Sequence, residues 1–330
     1  MAIGAGIGAT LGMAAETTYG TYVAPARFYE FNKESLGLKK TTATSAGVAG
    51  GQLMPRASRR VVTQREAAGS LDLEVTNKLF GLILQALMGT SVTPVQQGAT
   101  AAYLQTHTLA DTAGKSLTIQ KGVPLTTGTL VDKTFVGCKI ISAEFSCESG
   151  GSGMLMCTIE FDSKDCDETQ TLAVASYPAV SPFNFSQMAV KTGTYGAETA
   201  LDGVRKMSLK FERPQEVGRF YAGQNGLKKE PITNAQVKVT GSLEMDYVAT
   251  TVDDLHTSDG ATSLVWEFIG PIIASTHAET IRFKVPAIKI DDAPPVIEGF
   301  DVIKPKFAFS GFYDGTNLVA IEYMSTDTTL

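Results

Sequence analysis

A six-residue strand pattern occurs twice in this chain, 172 residues apart. Residues 69–74 and 241–246 each contain Gly-Ser followed by alternating apolar and acidic residues. A further strand precedes each copy at the same distance, because Ser35 and Met207 each lie 34 residues before the glycine of their copy. A unit of roughly 150 residues, the size of one ordinary domain, is therefore present twice.

Composition is typical of a folded globular protein and excludes several function classes. Of the 330 residues, 43% are hydrophobic and 19% are charged. The net charge of −6 and the lack of a basic block argue against tight binding to a nucleic-acid backbone. The longest apolar run, residues 79–88, is about half the length of a membrane span. Residues 1–8 lack the basic region of a signal peptide, so we expect no export and reduced cysteines.

Alternation of apolar and polar residues predicts a mainly β fold. Over residues 236–247 the apolar side chains, with Gly241, fall on one face and the polar ones on the other, as in a half-buried antiparallel strand. Further strand candidates are residues 137–147, 263–269, 280–285 and 302–309. We therefore predict two tandem β-sandwich or β-barrel domains, each with a flanking helix.

Residues 76–89 break the strand pattern and predict a helix that is apolar nearly all round, which needs cover on more than one side. The corresponding residues 250–257 are short and polar, so the two copies have diverged.

Two long connections and a domain join complete the organisation. Residues 41–59 and 214–231 are long glycine-containing loops, of a kind that usually makes an interaction. We predict an N-terminal arm over residues 1–30, a first domain over 31–176 and a second over 177–330.

The chain shows no recognisable catalytic constellation. Its four cysteines lack zinc-site spacing and are interpreted as buried core thiols. An acidic cluster is interpreted as a solvated turn in preference to a calcium loop, and it consists of Asp162, Asp165, Asp167 and Glu168. The three histidines stand alone, and no serine lies in a nucleophile elbow. We therefore expect no enzyme activity, no cofactor and no metal.

The segment Glu-Thr-Thr-Tyr-Gly at residues 16–20, followed by Pro-Ala-Arg-Phe at 25–28, resembles the start of tail tube proteins from long-tailed bacteriophages. The resemblance is to the type with a duplicated tube domain. It extends over most of the chain through the order of its motifs: a strand near Ser35, the Gly69 strand running into a helix, and the repeat after Pro182.

The resemblance implies a structural virion protein. Three copies would form a pseudo-hexameric ring, rings would stack into a tube, and DNA would pass through the lumen. The protein would be assembled in the host cytoplasm and located in the virion tail. Its partners would be further copies of itself and the tail tip or baseplate, tape measure and tail terminator proteins, without membrane insertion.

Three sets of residues are expected to serve this assembly. Repeated carboxylates are expected to face the lumen and repel DNA, and they are Asp72, Glu74, Glu244 and Asp246. Loop residues expected to contact the next ring are Ala46, Gly50, Gln52, Arg219, Tyr221 and Asn225. Helix residues expected to lie between subunits are Leu79, Phe80, Ile83 and Leu87.

Two points stay open at this stage. Counting along the repeat places the pair Lys33 and Lys39 and the pair Lys206 and Lys210 on opposite faces of their strands, so a lumen wall could be mixed in sign. The alternatives to a tube protein are a two-domain adhesin or capsid decoration protein, with Tyr195 and Tyr221 as binding candidates, and a hydrolase built on the acidic cluster.

Overall fold

The computed structural model describes residues 5–248, 250–292, 297, 299–300 and 302–330. This part of the chain is mainly β, as predicted. The strands before residue 170 are β1 Thr10–Ala15, β2 Arg27–Phe28, β3 Lys33–Glu34, β4 Gly37–Thr44, β5 Arg60–Glu74, β6 Val95–Gln96, β7 Tyr103–Thr108, β8 Leu117–Pro124, β9 Leu130–Glu148, β10 Met156–Ser163 and β11 Asp165–Asp167. The later strands are β12 Met188–Thr194, β13 Ala197–Ala200, β14 Val204–Glu212, β15 Gln215–Glu216, β16 Ile232–Thr233, β17 Lys238–Met245, β18 Thr262–Ala274, β19 His277–Asp292, β20 Lys306–Phe312 and β21 Ala320–Ser325. The helices are α1 Gly81–Met88 and α2 Thr251–Ser258.

Strand pairing follows one order twice along the chain. In the first half, antiparallel pairs link β4, β5, β10, β9, β8 and β1 in that order. In the second half, antiparallel pairs link β14, β17, β20, β19, β18 and β12. The short strand β11 pairs with β9 as β21 pairs with β19. The repeat seen in the sequence thus corresponds to a repeat in topology.

The long strands β9 and β19 carry the same irregularity. The ladder between β10 and β9 shifts at Glu160, which leaves Ile141 as an extra residue, and the ladder between β20 and β19 leaves Asp291 extra. A bulge of this kind bends a strand, so each long strand serves two sheets. One end of β9 pairs with β8 and β11, and the other end pairs with β10.

The two halves are joined by direct strand pairing. β14, the first strand of the pairing order in the second half, runs antiparallel along β9 from Glu148 to Ser142. The inner sheet is therefore continuous through β4, β5, β10, β9, β14, β17, β20 and β19. One hydrophobic cluster contains residues of both halves, and the rings of Phe145 and Phe283 lie 4.7 Å apart within it.

Helix α1 is a core element of this chain, which corrects our prediction of a helix between subunits. Phe80, Ile83 and Leu87 are fully buried, and Leu79 is partly buried against the same cluster. The helix packs on β7, β9 and β21. The all-round apolar pattern did require cover on several sides, but strands of the same chain provide it. Neither helix has the length and apolar composition that a membrane span requires within the described residues.

The predicted N-terminal arm is also largely part of the fold. β1 pairs with β8 over six residues, and Leu11 and Met13 are fully buried. The hydroxyl of Tyr29 donates a hydrogen bond to the Leu79 carbonyl at 3.0 Å. Residues 10–29 therefore do not form a free extension.

Candidate functional site: a polar sheet face and two free edges

One face of the inner sheet is polar, because alternate side chains of each strand point away from the core. Charges of opposite sign lie opposite each other in neighbouring strands. Lys206 of β14 lies between Glu148 of β9 and Glu244 of β17, and Glu244 in turn lies opposite Lys306 of β20. Lys206 Nζ is 2.6 Å from Glu148 Oε2, and this hydrogen bond raises the lysine pKa.

Two serine pairs fix the register of the repeat. The hydroxyls of Ser35 and Ser70 lie 2.9 Å apart, and those of Ser208 and Ser242 lie 2.9 Å apart. Ser35 therefore corresponds to Ser208, and its sequence match with Met207 was wrong by one residue.

This register changes the lysine assignment. Lys33 lies opposite Asp72 in the first half, as Lys206 lies opposite Glu244 in the second. Both lysines lie on the face of the repeated carboxylates, so our placement of the two lysine pairs on opposite faces was wrong. The face carries both signs in both halves.

All four repeated carboxylates lie on the polar face or at its end. Asp72, Glu74 and Glu244 are half-buried on the side of their strands away from the core. Asp246 forms a two-pronged ion pair with Arg205, with nitrogen–oxygen distances of 2.6 and 2.9 Å. Hydrogen bonding to the guanidinium lowers the pKa of this carboxyl group.

The first long connection is a protruding hairpin tip between β4 and β5, residues 45–59. It contains Ala46, Gly50 and Gln52, and Gln52 accepts a hydrogen bond from Arg56 at 2.8 Å. Its apolar side chains are exposed, with Val48 at 99% and Leu53 at 100%. Such a cluster of exposed apolar side chains is typical of a contact surface.

The second long connection instead packs on the first half of the chain. Lys228 is fully buried, and its Nζ lies 2.8 Å from Glu66 and 2.5 Å from Asp162. Burial raises the pKa of Asp162 even though Lys228 opposes the shift. Asp162 is thus a buried ion-pair partner, and our interpretation of it as part of a solvated turn was wrong.

Arg213, at the start of the second connection, lies at the end of α1. Its guanidinium donates to the carbonyls of Leu87 at 2.7 Å and Met88 at 3.3 Å, and also to the Ala110 carbonyl. A cation at a helix C-terminus satisfies carbonyls that have no partner within the helix. Desolvation lowers the pKa of Arg213 to about 10.

The remaining residues of the second connection lie nearer the surface. Tyr221 is 54% exposed and its ring lies 5.8 Å from the Arg219 guanidinium carbon. Asn225 is exposed and has a positive φ of 52°. Tyr195, the other aromatic candidate, is half-buried in the turn between β12 and β13.

Sequence reasoning missed the role of Glu16. This carboxylate is 5% exposed and accepts hydrogen bonds from the hydroxyls of Ser116 and Thr118 and from the backbone N–H groups of Gly20 and Gly137, at 2.7 to 3.0 Å. The motif at residues 16–20 is therefore a structural clamp. A lone acidic residue beside a strand gives no sequence signal for this, because Ser116, Thr118 and Gly137 lie 100 to 121 residues away in the chain.

The four cysteines are buried and unpaired, as interpreted from their spacing. Burial raises the pKa of Cys147 and of Cys166 to about 11. The acidic cluster is divided among separate partners, since Asp165 pairs with Arg65 at 2.9 Å and Glu168 pairs with Lys133. Among the described residues, no group of three or more His, Cys, Asp or Glu side chains could hold a metal ion.

The inner sheet has one free edge in each half. β3 and β4 pair only with β5 among the described strands. At the opposite end of the sheet, residues 289–292 of β19 pair with β20 on one side and with no described strand on the other. Unpaired edges present rows of free backbone donors and acceptors, which favour pairing with another chain.

Comparison with known families gives one match over most of the chain. The model of a family described as phage tail tube protein matches residues 6–311. No curated protein matches the chain.

Proposed function

Because the chain belongs to the phage tail tube protein family, and is therefore a structural component of the virion tail, we propose that three copies close into a ring and that rings stack into the tube. The repeated strand-pairing order is the observation that supports three chains per ring. Each chain supplies two equivalent strand sets, so three chains supply the six repeats of a pseudo-hexameric ring.

The proposed division into domains follows the pairing order. β1 takes in the first half the place that β12 takes in the second. We therefore assign residues 10–176 to the first tube domain and residues 177–330 to the second, although one hydrophobic core spans both. This moves the start of the first domain from residue 31 to β1.

The polar face of the inner sheet is the proposed wall of the lumen. The opposite face of the sheet packs against the hydrophobic core, so only the polar face is free to line a channel. Lysines on this face are matched by carboxylates, as in the Lys206–Glu148 pair. Affinity for DNA grows with each phosphate that a cation neutralises. Because the lysines of this wall are paired with carboxylates, we expect the wall to bind DNA weakly.

The hairpin tip at residues 45–59 is the proposed contact between rings, because its apolar side chains are exposed and no described residue covers Val48 or Leu53. The tail tip or baseplate, tape measure and tail terminator proteins are the proposed further partners. Assembly is proposed to occur in the host cytoplasm.

Electron microscopy of the purified chain tests this function. We expect rings and stacked tubes with an open centre, and native mass spectrometry of the rings should give three times the chain mass of 35.0 kDa. A preparation that stays monomeric at high concentration across salt conditions contradicts the proposal. Rings of six chains contradict the stoichiometry alone.

A further inference from the structure

Among the described residues, Lys228 is the only lysine whose ammonium group contacts two carboxylates. Its side chain is fully buried, with Nζ 2.5 Å from Asp162 Oδ1 and 2.8 Å from Glu66 Oε2. The second carboxyl oxygen of Asp162, Oδ2, is buried and has no hydrogen-bond partner in the part of the chain that the structure describes. Burial removes the hydration of both charges, and a buried oxygen without a hydrogen bond adds to that cost. The ion pair is therefore an unfavourable resting state for these groups.

We propose that Lys228 and Asp162 condense to an isopeptide bond, with Glu66 as the proton relay. The reaction needs no cofactor and no oxidant. Because all three residues belong to one chain, the proposal does not depend on ring formation.

The reaction balances as a dehydration. Transfer of one proton from the ammonium group to Asp162 converts the ion pair into a neutral amine and a carboxylic acid. The Nζ lone pair attacks Cγ of Asp162, and Glu66 takes a proton from the attacking nitrogen and passes it to the departing hydroxyl group. One carbon–nitrogen bond forms, one carbon–oxygen bond breaks and one water molecule leaves.

The environment of Asp162 favours this step. A carboxylate resists attack by a nucleophile because it already carries a negative charge, whereas a neutral carboxylic acid does not. Burial raises the pKa of Asp162, which makes the acid form more accessible. The amide product is uncharged, so the reaction removes two buried charges. Chain that has not yet reacted keeps the ion pair and a titratable carboxyl group at position 162.

Backbone contacts hold the reacting groups in place. The Gly226 carbonyl accepts a hydrogen bond from the Arg65 N–H at 3.0 Å, which fixes the second connection on β5. Lys228 itself forms an isolated β-bridge with Phe220. Asp162 lies in β10, which pairs with β5 on one side and with β9 on the other. Groups held in contact in this way react far faster than the same groups free in solution.

A second buried pair shows what the Lys228 site has in addition to burial. The Lys139 side chain is 1% exposed, and its Nζ lies 2.7 Å from Glu230 Oε1. The same oxygen accepts a hydrogen bond from the Gly114 N–H at 2.7 Å, which favours the unreactive anion. No second carboxylate within the described residues is in ion-pair contact with Lys139 to relay a proton. We therefore expect no bond between Lys139 and Glu230.

The bond would fix the second connection covalently to the first half of the chain. Lys228 lies 66 residues after Asp162, and the loop closed by the bond contains the join between the two halves. Such a cross-link restricts the unfolded chain as a disulfide does, but reducing agents do not break it.

Mass spectrometry of the denatured full chain after prolonged incubation tests the proposal. We expect a mass below that of the sequence by one water, about 18 Da, and trypsin should leave residues 140–164 joined to residues 220–229. Lys228→Met should lack the joined peptide, and the peptides of Lys139 and Glu230 should be unlinked. An unchanged mass overturns the proposal. Loss of water without the joined peptide also overturns it, because Asp162 has then cyclised onto its own backbone.

Two further variants assign the roles. Asp162→Asn should give the same joined peptide with loss of ammonia in place of water, and loss of water from it would place the reaction elsewhere. Glu66→Gln keeps the shape of the relay and should slow bond formation by about 10²–10⁴-fold. Glu216→Gln is the matched control at an exposed position and should leave the rate unchanged. Equal rates in the two glutamine variants overturn the role of Glu66.

Discussion

Lys228 of the second half forms a buried ion pair with Asp162 of the first half, with Nζ 2.5 Å from the Asp162 carboxylate. The lysine also lies 2.8 Å from Glu66 and is fully buried. This contact attaches the second long connection to the first inner sheet. It crosses the same joint as the β9–β14 pairing, so the two halves are linked by side chains as well as by backbone.

Replacement of Lys228 by methionine tests the strength of this link. Removing one partner leaves a carboxylate buried without its cation, which is expected to lower the free energy of unfolding by about 3–5 kcal/mol. Lys229→Met is the matched control, because Lys229 is exposed and forms no ion pair with another described residue. Urea denaturation of both variants measures the difference, and equal midpoints would show that the buried pair contributes little.

The same substitution has a predictable pH dependence. Burial raises the folded-state pKa of Asp162, and loss of Lys228 raises it further because the lysine acts in the opposite direction. A carboxyl group with a raised folded pKa binds a proton more readily when folded, so its contribution to stability falls as pH rises through that interval. The deficit of Lys228→Met should therefore shrink between pH 7 and about pH 4. A constant deficit would assign the loss to packing instead of charge.

Glu16 provides a second test of a buried polar group. In Glu16→Gln the amide nitrogen faces two hydrogen-bond donors that the carboxylate now satisfies, and each buried donor without a partner costs about 1–3 kcal/mol. Glu30→Gln is the control at an exposed position and should change stability by less than about 0.5 kcal/mol. Thermal unfolding followed by circular dichroism compares them. Similar melting temperatures would show that the clamp is not needed.

The repeated glycines have a physical reason that the sequence does not reveal. A Cβ atom at Gly69 would lie 2.6 Å from backbone atoms of Leu36, and one at Gly241 would lie 2.5 Å from the Ser208 carbonyl oxygen. Neighbouring strands therefore approach closely at the same place in both halves. Gly69→Ala should lower stability by about 1–3 kcal/mol through backbone displacement.

Gly50→Ala is the matched control for this substitution. The space around Gly50 is open and its φ is not positive, so alanine should be neutral or stabilising by up to about 1 kcal/mol. Urea denaturation separates the two variants, and equal stability would remove close strand approach as the reason for the glycine.

Part of this architecture could be predicted from the sequence, and the failures have specific causes. Alternation over residues 236–247 placed Val239 and Leu243 in the core correctly, because a strand with one buried face has a fixed period. The register of the preceding strand was wrong by one residue, since pairing across strands, as in Ser35 with Ser70, cannot be counted along one strand.

Long-range contacts account for the other errors. The partners of Asp162 and of α1 are brought together only by the fold: Lys228 lies 66 residues from Asp162, and β21 covers a helix more than 230 residues before it. An apolar helix composition shows that the helix must be buried, but it does not identify the elements that cover the helix. For this reason the helix was correctly predicted to be covered, while its cover was assigned to another subunit.

A charge reversal on the polar face tests its assignment to the lumen. Glu244→Lys places three lysines side by side, because position 244 lies between Lys206 and Lys306. Tubes of this variant should bind short duplex DNA, and the affinity should fall as salt rises, by about 0.9 logarithmic units per tenfold change for each phosphate contacted. Fluorescence anisotropy measures both. Glu216→Lys gives the same change in charge at an exposed position of β15, outside the inner sheet, and equal DNA binding by the two variants would contradict the lumen assignment.

The hairpin tip separates ring formation from stacking. Leu53 is fully exposed at the tip. An aspartate there should leave folding and rings intact, but burying its charge between rings is unfavourable, so stacking should fail. Val174→Asp is the matched control, since Val174 is 91% exposed outside the tip.

Electron micrographs should show single rings for Leu53→Asp and tubes for the control, and deletion of residues 46–52 should behave like Leu53→Asp. Full-length tubes from the deletion variant would show that the tip does not join rings, and the search for that contact would move to the opposite face of the ring.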